Sequence, residues 1–186
     1  RTAGQAALPR GASEVVVDAL DVERTFALVG KVDVIVHAAN PTYTEWATTA
    51  APLLRATIAL AKKTGATILF PGNIYNFGSS QPEKLLQNTP QRADTKKGKI
   101  RVELEQMLQA AAGEGVQSVV VRAGDFFGSG TGSWFDLATV KDINKGAVTT
   151  LSPANTKHAW AYVPDLARTF VNVAEARETL PKFSVV

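Results

Sequence analysis

Asn73, Tyr75 and Asn76 place two amides and a phenol directly after an apolar run that ends in Pro71-Gly72. Amides orient a ligand by donating and accepting hydrogen bonds, and a phenol can in addition move a proton. The preceding Thr67-Ile68-Leu69-Phe70 is too short for a helix and rich in β-branched and aromatic residues. That composition predicts a buried strand, broken at Pro71-Gly72 because proline lacks the donor a ladder needs. Ligand groups in an open parallel sheet gather where strands end at their carboxyl edge. Tyr75 is therefore a candidate for proton transfer, Asn73 for orienting a substrate and Asn76 for contacting one. The competing reading makes Tyr75 a packed aromatic and the two asparagines turn residues bonded to their own backbone.

Other strand exits carry similar chemistry. His37-Ala38-Ala39-Asn40-Pro41 leaves one apolar run, and Arg122-Ala123-Gly124-Asp125-Phe126-Phe127-Gly128 leaves another. Asp125 there is either a substrate contact or a turn residue, and His37 reads as a hydrogen-bonded core histidine. Phe126, Phe127 and Trp134 close either a pocket or the core. Asp18-Ala19-Leu20-Asp21 closes a third run, with Asp18 poised at the ligand edge or capping a helix. Lys99 lies in the basic cluster of Lys96, Lys97, Lys99 and Arg101, and is either a ligand-holding cation or a solvated charge.

Positioning these groups requires a sheet. Strands are predicted over 14–17, 32–36 and 116–121 besides the run from Thr67, with later strands over 147–151 and 158–163. Helices are predicted from an Asp21 cap to Gly30, over 46–63 with a stripe of Leu53, Leu54, Ile58 and Ala61, over 99–112, and over 165–176 behind an Asp165 cap. A short helix is expected near 135–140. Residues 79–94 read as a long loop with one helical turn near Leu85, and 128–133 as a flexible turn. Near-continuous apolar strands alternating with helices predict an α/β fold. The sheet is expected to be mostly parallel, with right-handed crossovers and helices on both faces.

The totals agree with one domain. The 186 residues are 45% apolar and 20% charged, which fits a globular chain with a sizeable core. A net charge of +3 is too small to imply a nucleic-acid partner, and no apolar run approaches the ~20 residues of a membrane span. The chain has no cysteine, which excludes disulfides and thiolate metal sites and fits a reducing, cytoplasmic setting. Two histidines are too few for a His-rich metal centre.

Together these motifs resemble the extended short-chain dehydrogenase/reductases, the NAD(P)-dependent epimerase/dehydratase group. Asp18-Ala19-Leu20-Asp21 resembles the family's adenine-contacting turn. Val34-Ile35-Val36-His37-Ala38-Ala39 is similar to its fourth strand and the small-residue turn beside the cofactor ribose. Ile74-Tyr75-Asn76-Phe77-Gly78 resembles the segment after its fifth strand. Residues 122–128 and Ala161-Tyr162-Val163-Pro164-Asp165-Leu166-Ala167 resemble its substrate-side loop and its return to the core.

The resemblance implies a single, partial NAD(P)-binding Rossmann-like domain over 1–186, with substrate-side elements over about 123–160. It implies NAD or NADP contacts at Asp18, Ala19, Ala38, Ala39, Asn40 and Lys99, a nucleotide-sugar or small carbonyl substrate, and a homodimer as one arrangement. No glycine-rich phosphate turn precedes Glu14, so the chain is expected to lack the family's first βαβ portion. Arg1, a conceivable partner for a 2′-phosphate, would fall near the end of the family's second strand. The family's tyrosine and the lysine four residues later align with Thr95 and Lys99, and its serine with Asn73. A threonine cannot replace a phenol as acid/base. The resemblance therefore implies either an oxidoreductase of changed chemistry or a non-catalytic dinucleotide sensor.

Overall fold

The computed structural model describes residues 8–128, 132–150, 152–153 and 155–186. In chain order the elements are α1 (Val22–Val29), β1 (Val34–Val36), α2 (Trp46–Thr64), β2 (Thr67–Asn73), α3 (Lys96–Gly113), β3 (Ser118–Ala123), β4 (Asp125–Phe127), β5 (Trp160–Tyr162), α4 (Val163–Ala176) and β6 (Phe183–Val185). One sheet runs β1-β2-β3-β6 with every neighbour parallel, and β4 pairs with β5 in a second, smaller one. Parallel neighbours need crossovers, which α2 and α3 supply. The expected Rossmann-like α/β architecture is what forms.

The core follows from strand alternation. Ile68, Phe70 and Val120 point to one face and pack against Leu54 and Ala61 of α2 and Leu104, Leu108 and Ala111 of α3. Leu69, Val119 and Val121 are equally buried on the opposite face, where α4 approaches β2 and β3. Helices thus lie on both faces.

Several local expectations change. Pro71-Gly72 does not end its strand: β2 continues to Asn73, paired with Ala123 of β3. Successive residues of a parallel strand point their backbone groups to alternate sides. Ile68 N–H donates toward β3 and Leu69 O accepts from His37 N–H on the β1 side, so Pro71 faces the β1 side beyond the point where β1 has ended. No donor is required there, and Arg101 Nη1 instead bonds the Pro71 carbonyl at 3.1 Å.

Residues 14–17 form no strand. Val15 and Val16 are exposed, and no described strand pairs with the free edge of β1. The helix expected from 99 begins three residues earlier, because Thr95 Oγ1 accepts from Gly98 N–H and caps it. No helical turn forms near Leu85; Leu86 and Thr89 close a turn through two hydrogen bonds. Tyr75–Phe77 is a 3₁₀ turn. Residues 147–150 form no strand, and Leu151 lies outside the described residues, as do Arg1 and 129–131. Strand β6, which pairs with β3 and completes the main sheet, had no counterpart among the expected elements. Among the described residues no helix is long and apolar enough to cross a membrane.

Candidate functional site

Parallel register brings three strand exits to one edge: His37 after β1, Asn73 closing β2 and Ala123 closing β3. A cleft of about 1340 Å³ opens there. Ala38, Ala39, Asn40, Asn73, Tyr75 and Asp125 all line it, so six of the sequence-selected residues meet at one place.

The β1 exit is built on His37. Its ring is 8% exposed and stacks on Phe70 at 5.6 Å. Thr57 donates its hydroxyl to Leu53 O at 3.1 Å, so the same oxygen accepts from His37 Nδ1–H at 2.7 Å. Burial, and secondarily the charge of Arg101, lower the imidazole pKa from 6.5 to about 4. His37 is a neutral structural anchor, as its position behind a buried strand suggested. Asn40 Oδ1 and Pro41 O both accept from Trp46 Nε1 at 3.1 Å, which fixes the turn against the start of α2.

At the β2 exit, Asn73 Oδ1 accepts from Tyr75 N–H at 3.1 Å. The turn reading of Asn73 is therefore realised, while the side chain still borders the cleft. The Tyr75 hydroxyl is held protonated: burial first, then the hydrogen bond its O–H gives to Tyr43, then the charges of Tyr43 and Asp125 raise its pKa, and Arg101 only partly offsets them. Asn76 lies elsewhere. The 3₁₀ turn carries it inward until it is 0% exposed, outside the cleft, and its amide finds no hydrogen-bonding partner among the described residues. The structure thus sets Asn76 apart from the cleft, whereas the sequence reading had it contacting a substrate.

A partly buried cation that lines the cleft is Arg101. Gly98 fixes the rotation of α3, because a Cβ there would overlap the Tyr75 carbonyl. Its face therefore looks onto the 3₁₀ turn, and Arg101 lies one turn further on the same side. Arg101 stacks over Trp46 at 4.6 Å and near Phe70 at 5.5 Å, and its buried Nε has no partner among the described residues. Burial lowers its pKa, opposed by Tyr43, Tyr75 and Glu105. Lys97, four residues earlier, sits 3.7 Å from the centre of the Tyr43 ring.

Lys99, rotated away from that face, is exposed and does not line the cleft; Thr95 is the helix cap. Asp18 and Ala19 are also exposed and remote from the cleft lining, with Asp18 Oδ1 accepting from Leu20 N–H at 2.9 Å. The placement of Lys99, Asp18 and Ala19 thus departs from the expected contacts. Helix rotation decides the first. An Asx turn with no neighbouring strand decides the others.

At the third exit, Asp125 pairs with His158, Nε2 to Oδ2 at 2.8 Å, and both line the cleft. Arg122 turns away from it into a buried fork with Glu105, at 3.1 and 2.6 Å, and Gln91 also donates to Glu105 at 2.7 Å. Arg101 and His158 line the cleft, and sequence reasoning selected neither as a site candidate. Lys97 and Arg101 repeat the four-residue spacing of Thr95 and Lys99, so the signal existed in two registers. His158 offered only its position ahead of a short apolar run.

The family model described as "NAD dependent epimerase/dehydratase family" matches residues 9–186. No curated protein matches the sequence. Solved structures do resemble the fold. An L-threonine dehydrogenase from Phytophthora infestans superposes with a TM-score of 0.76 at 21% identity, over 92% of this chain and 62% of that one. A UDP-N-acetylglucosamine 4-epimerase from Bacillus cereus gives 0.77 at 14% identity, over 96% and 64%. A dTDP-glucose 4,6-dehydratase from Bacillus anthracis, in complex with NAD, gives 0.75 at 14% identity, over 92% and 57%. The chain spans less than two thirds of the length of these proteins.

Proposed function

The chain belongs to the NAD dependent epimerase/dehydratase family, and from that premise we propose that its cleft holds a nicotinamide dinucleotide against a nucleotide-sugar or small carbonyl substrate. The single observation that carries this reading is the convergence of Ala38, Ala39, Asn40, Asn73, Tyr75 and Arg101 on one cleft at the carboxyl edge of a parallel sheet. Residues 1–186 would act as one dinucleotide-binding domain, with β4 and β5 forming its substrate wall.

The residues present suit the nicotinamide half of such a cofactor. Ala38 and Ala39 leave room for a ribose beside the β1 exit, and Asn40 offers polar contact. Arg101 brings an unpartnered buried N–H into the position where a cation would hold ribose hydroxyls or a phosphate. When bound, nicotinamide supplies hydride exchange. Asn73 orients the substrate with its amide nitrogen, and Tyr75, held protonated, turns its single O–H from Tyr43 to a substrate oxygen. Arg101 thereby takes the part that the resemblance assigned to Lys99.

A second reading has its own observation. The residue four positions before Arg101 is Lys97, an ammonium lying on Tyr43 rather than a phenol, which favours a module that binds dinucleotide without turning over a substrate.

Titration of the protein with NAD, NADH, NADP and NADPH, followed by a panel of nucleotide-sugars and aldehydes, separates the readings. Binding with turnover that drops in Tyr75→Phe supports the oxidoreductase. Binding without turnover supports the sensor, and the absence of dinucleotide binding sinks both.

A further inference from the structure

The wall of the cleft opposite Tyr75 holds a titratable pair with no part in the account above. Strands β4 and β5 lie close because Gly124 has no side chain; a Cβ there would overlap the carbonyl of Ala159. Asp125 N–H donates to that same carbonyl at 2.9 Å. The close approach sets His158 against Asp125, with Nε2 at 2.8 Å from Oδ2, and packs its ring on Trp160 at 4.6 Å. Both side chains stay partly open to the cleft, at 34% and 26% exposure. With Nε2 committed to the carboxylate, Nδ1 is the ring nitrogen left for a ligand.

We infer that Asp125 and His158 form the acid/base of this cleft, with His158 exchanging a proton with the hydroxyl or carbonyl oxygen of the substrate. The inference rests on the dinucleotide-dependent reading above. An imidazole can both accept and return a proton, and a carboxylate on one ring nitrogen fixes the tautomer and stabilises the imidazolium that forms. In the oxidising direction the substrate O–H bond breaks and its proton passes to His158 Nδ1. The O–H electron pair becomes the second C–O bond, and the C–H pair leaves as hydride to the nicotinamide, which is the oxidant. The reverse direction returns the proton from Nδ1. Tyr75 keeps its proton throughout and serves only as a donor. Among the described residues, Tyr75 feels the charge of Asp125, Lys157 beside His158 has its ammonium held by Glu83, and Asp94 and Arg101 line the same cleft.

The test uses the full chain. In ¹⁵N NMR of the cofactor-free protein, His158 shows the Nε2–H tautomer in the wild type and both tautomers in Asp125→Ala. With dinucleotide and a turned-over substrate from the panel, His158→Gln lowers kcat/KM by about 10²- to 10⁴-fold. The same variant changes the pH profile of kcat/KM and leaves dinucleotide affinity unchanged. An unaltered rate and pH profile in His158→Gln overturns the inference. So does a wild type that binds dinucleotide but turns over no alcohol or carbonyl. Failure of the underlying reading looks different: the wild type then binds no dinucleotide, and the inference falls with it.

Discussion

Lowering the pH should destabilise this protein in part through one identifiable imidazole. His37 is 8% exposed, and burial together with Arg101 holds its pKa at about 4 instead of 6.5. Below pH ~6.5 the unfolded chain binds a proton at this position that the folded chain refuses until about pH 4, so stability rises with pH across that window. The stabilisation is complete above the unfolded value and lost as pH falls toward the folded one. The gap between 6.5 and about 4, at roughly 1.4 kcal/mol per tenfold in proton affinity, corresponds to on the order of 3 kcal/mol.

The assay is urea unfolding of wild type and His37→Gln at a series of pH values from neutral downward. Carboxylates titrate alike in both proteins, so the difference between the two curves isolates the imidazole. At about pH 5 the wild type should have lost roughly 2 kcal/mol more than the variant, relative to neutral pH. Arg101→Met removes the smaller of the two causes and should shallow the wild-type dependence without abolishing it. Parallel pH dependences for wild type and His37→Gln would refute the account, since His37 would then not be the buried neutral group described.

Other outcomes follow from the same geometry. Glu105→Gln strands Arg122 in the core, where the pair's side chains are 9% and 4% exposed; removal of one buried partner should cost about 3–5 kcal/mol in urea unfolding. Gly124→Ala forces β4 away from Ala159, and overpacking of this kind should cost about 1–3 kcal/mol, accompanied by loss of the His158 tautomer signature. Arg101→Met should weaken dinucleotide binding by about tenfold, the equivalent of one charge-assisted hydrogen bond, whereas Lys99→Met should leave the affinity unchanged. Equal effects of those two substitutions would return the cation's role to the exposed face of α3. Asp21→Ala removes the hydrogen bond to Arg24 N–H and should lower stability by about 1 kcal/mol, read from the urea midpoint.

The sequence by itself was sufficient wherever the deciding interaction is local. Asp21 caps α1 by bonding a backbone three residues away, and the stripe of Leu54 and Ala61 makes α2 amphipathic whatever it packs against. Apolar runs separated by helices sufficed for the parallel sheet, and with it the carboxyl edge where Ala38, Ala39, Asn40, Asn73, Tyr75 and Asp125 meet.

Tertiary structure alone decided what depends on a distant neighbour. Pro71 stays in a strand because β1 has already ended beside it, which no feature of the 67–73 run reveals. Two registers of cation at four-residue spacing were open on α3, and the choice of Arg101 over Lys99 came from packing Gly98 against the Tyr75 carbonyl. Asn76 turned inward for the same kind of reason, its direction set by the 3₁₀ turn over the core. Asp125 and His158 stand 33 residues apart in the chain, and only the close pairing of β4 and β5 makes them partners. Backbone hydrogen bonds and apolar periodicity are written along a chain. The rotation of a helix about its axis, and the meeting of side chains from separate strands, are set by packing.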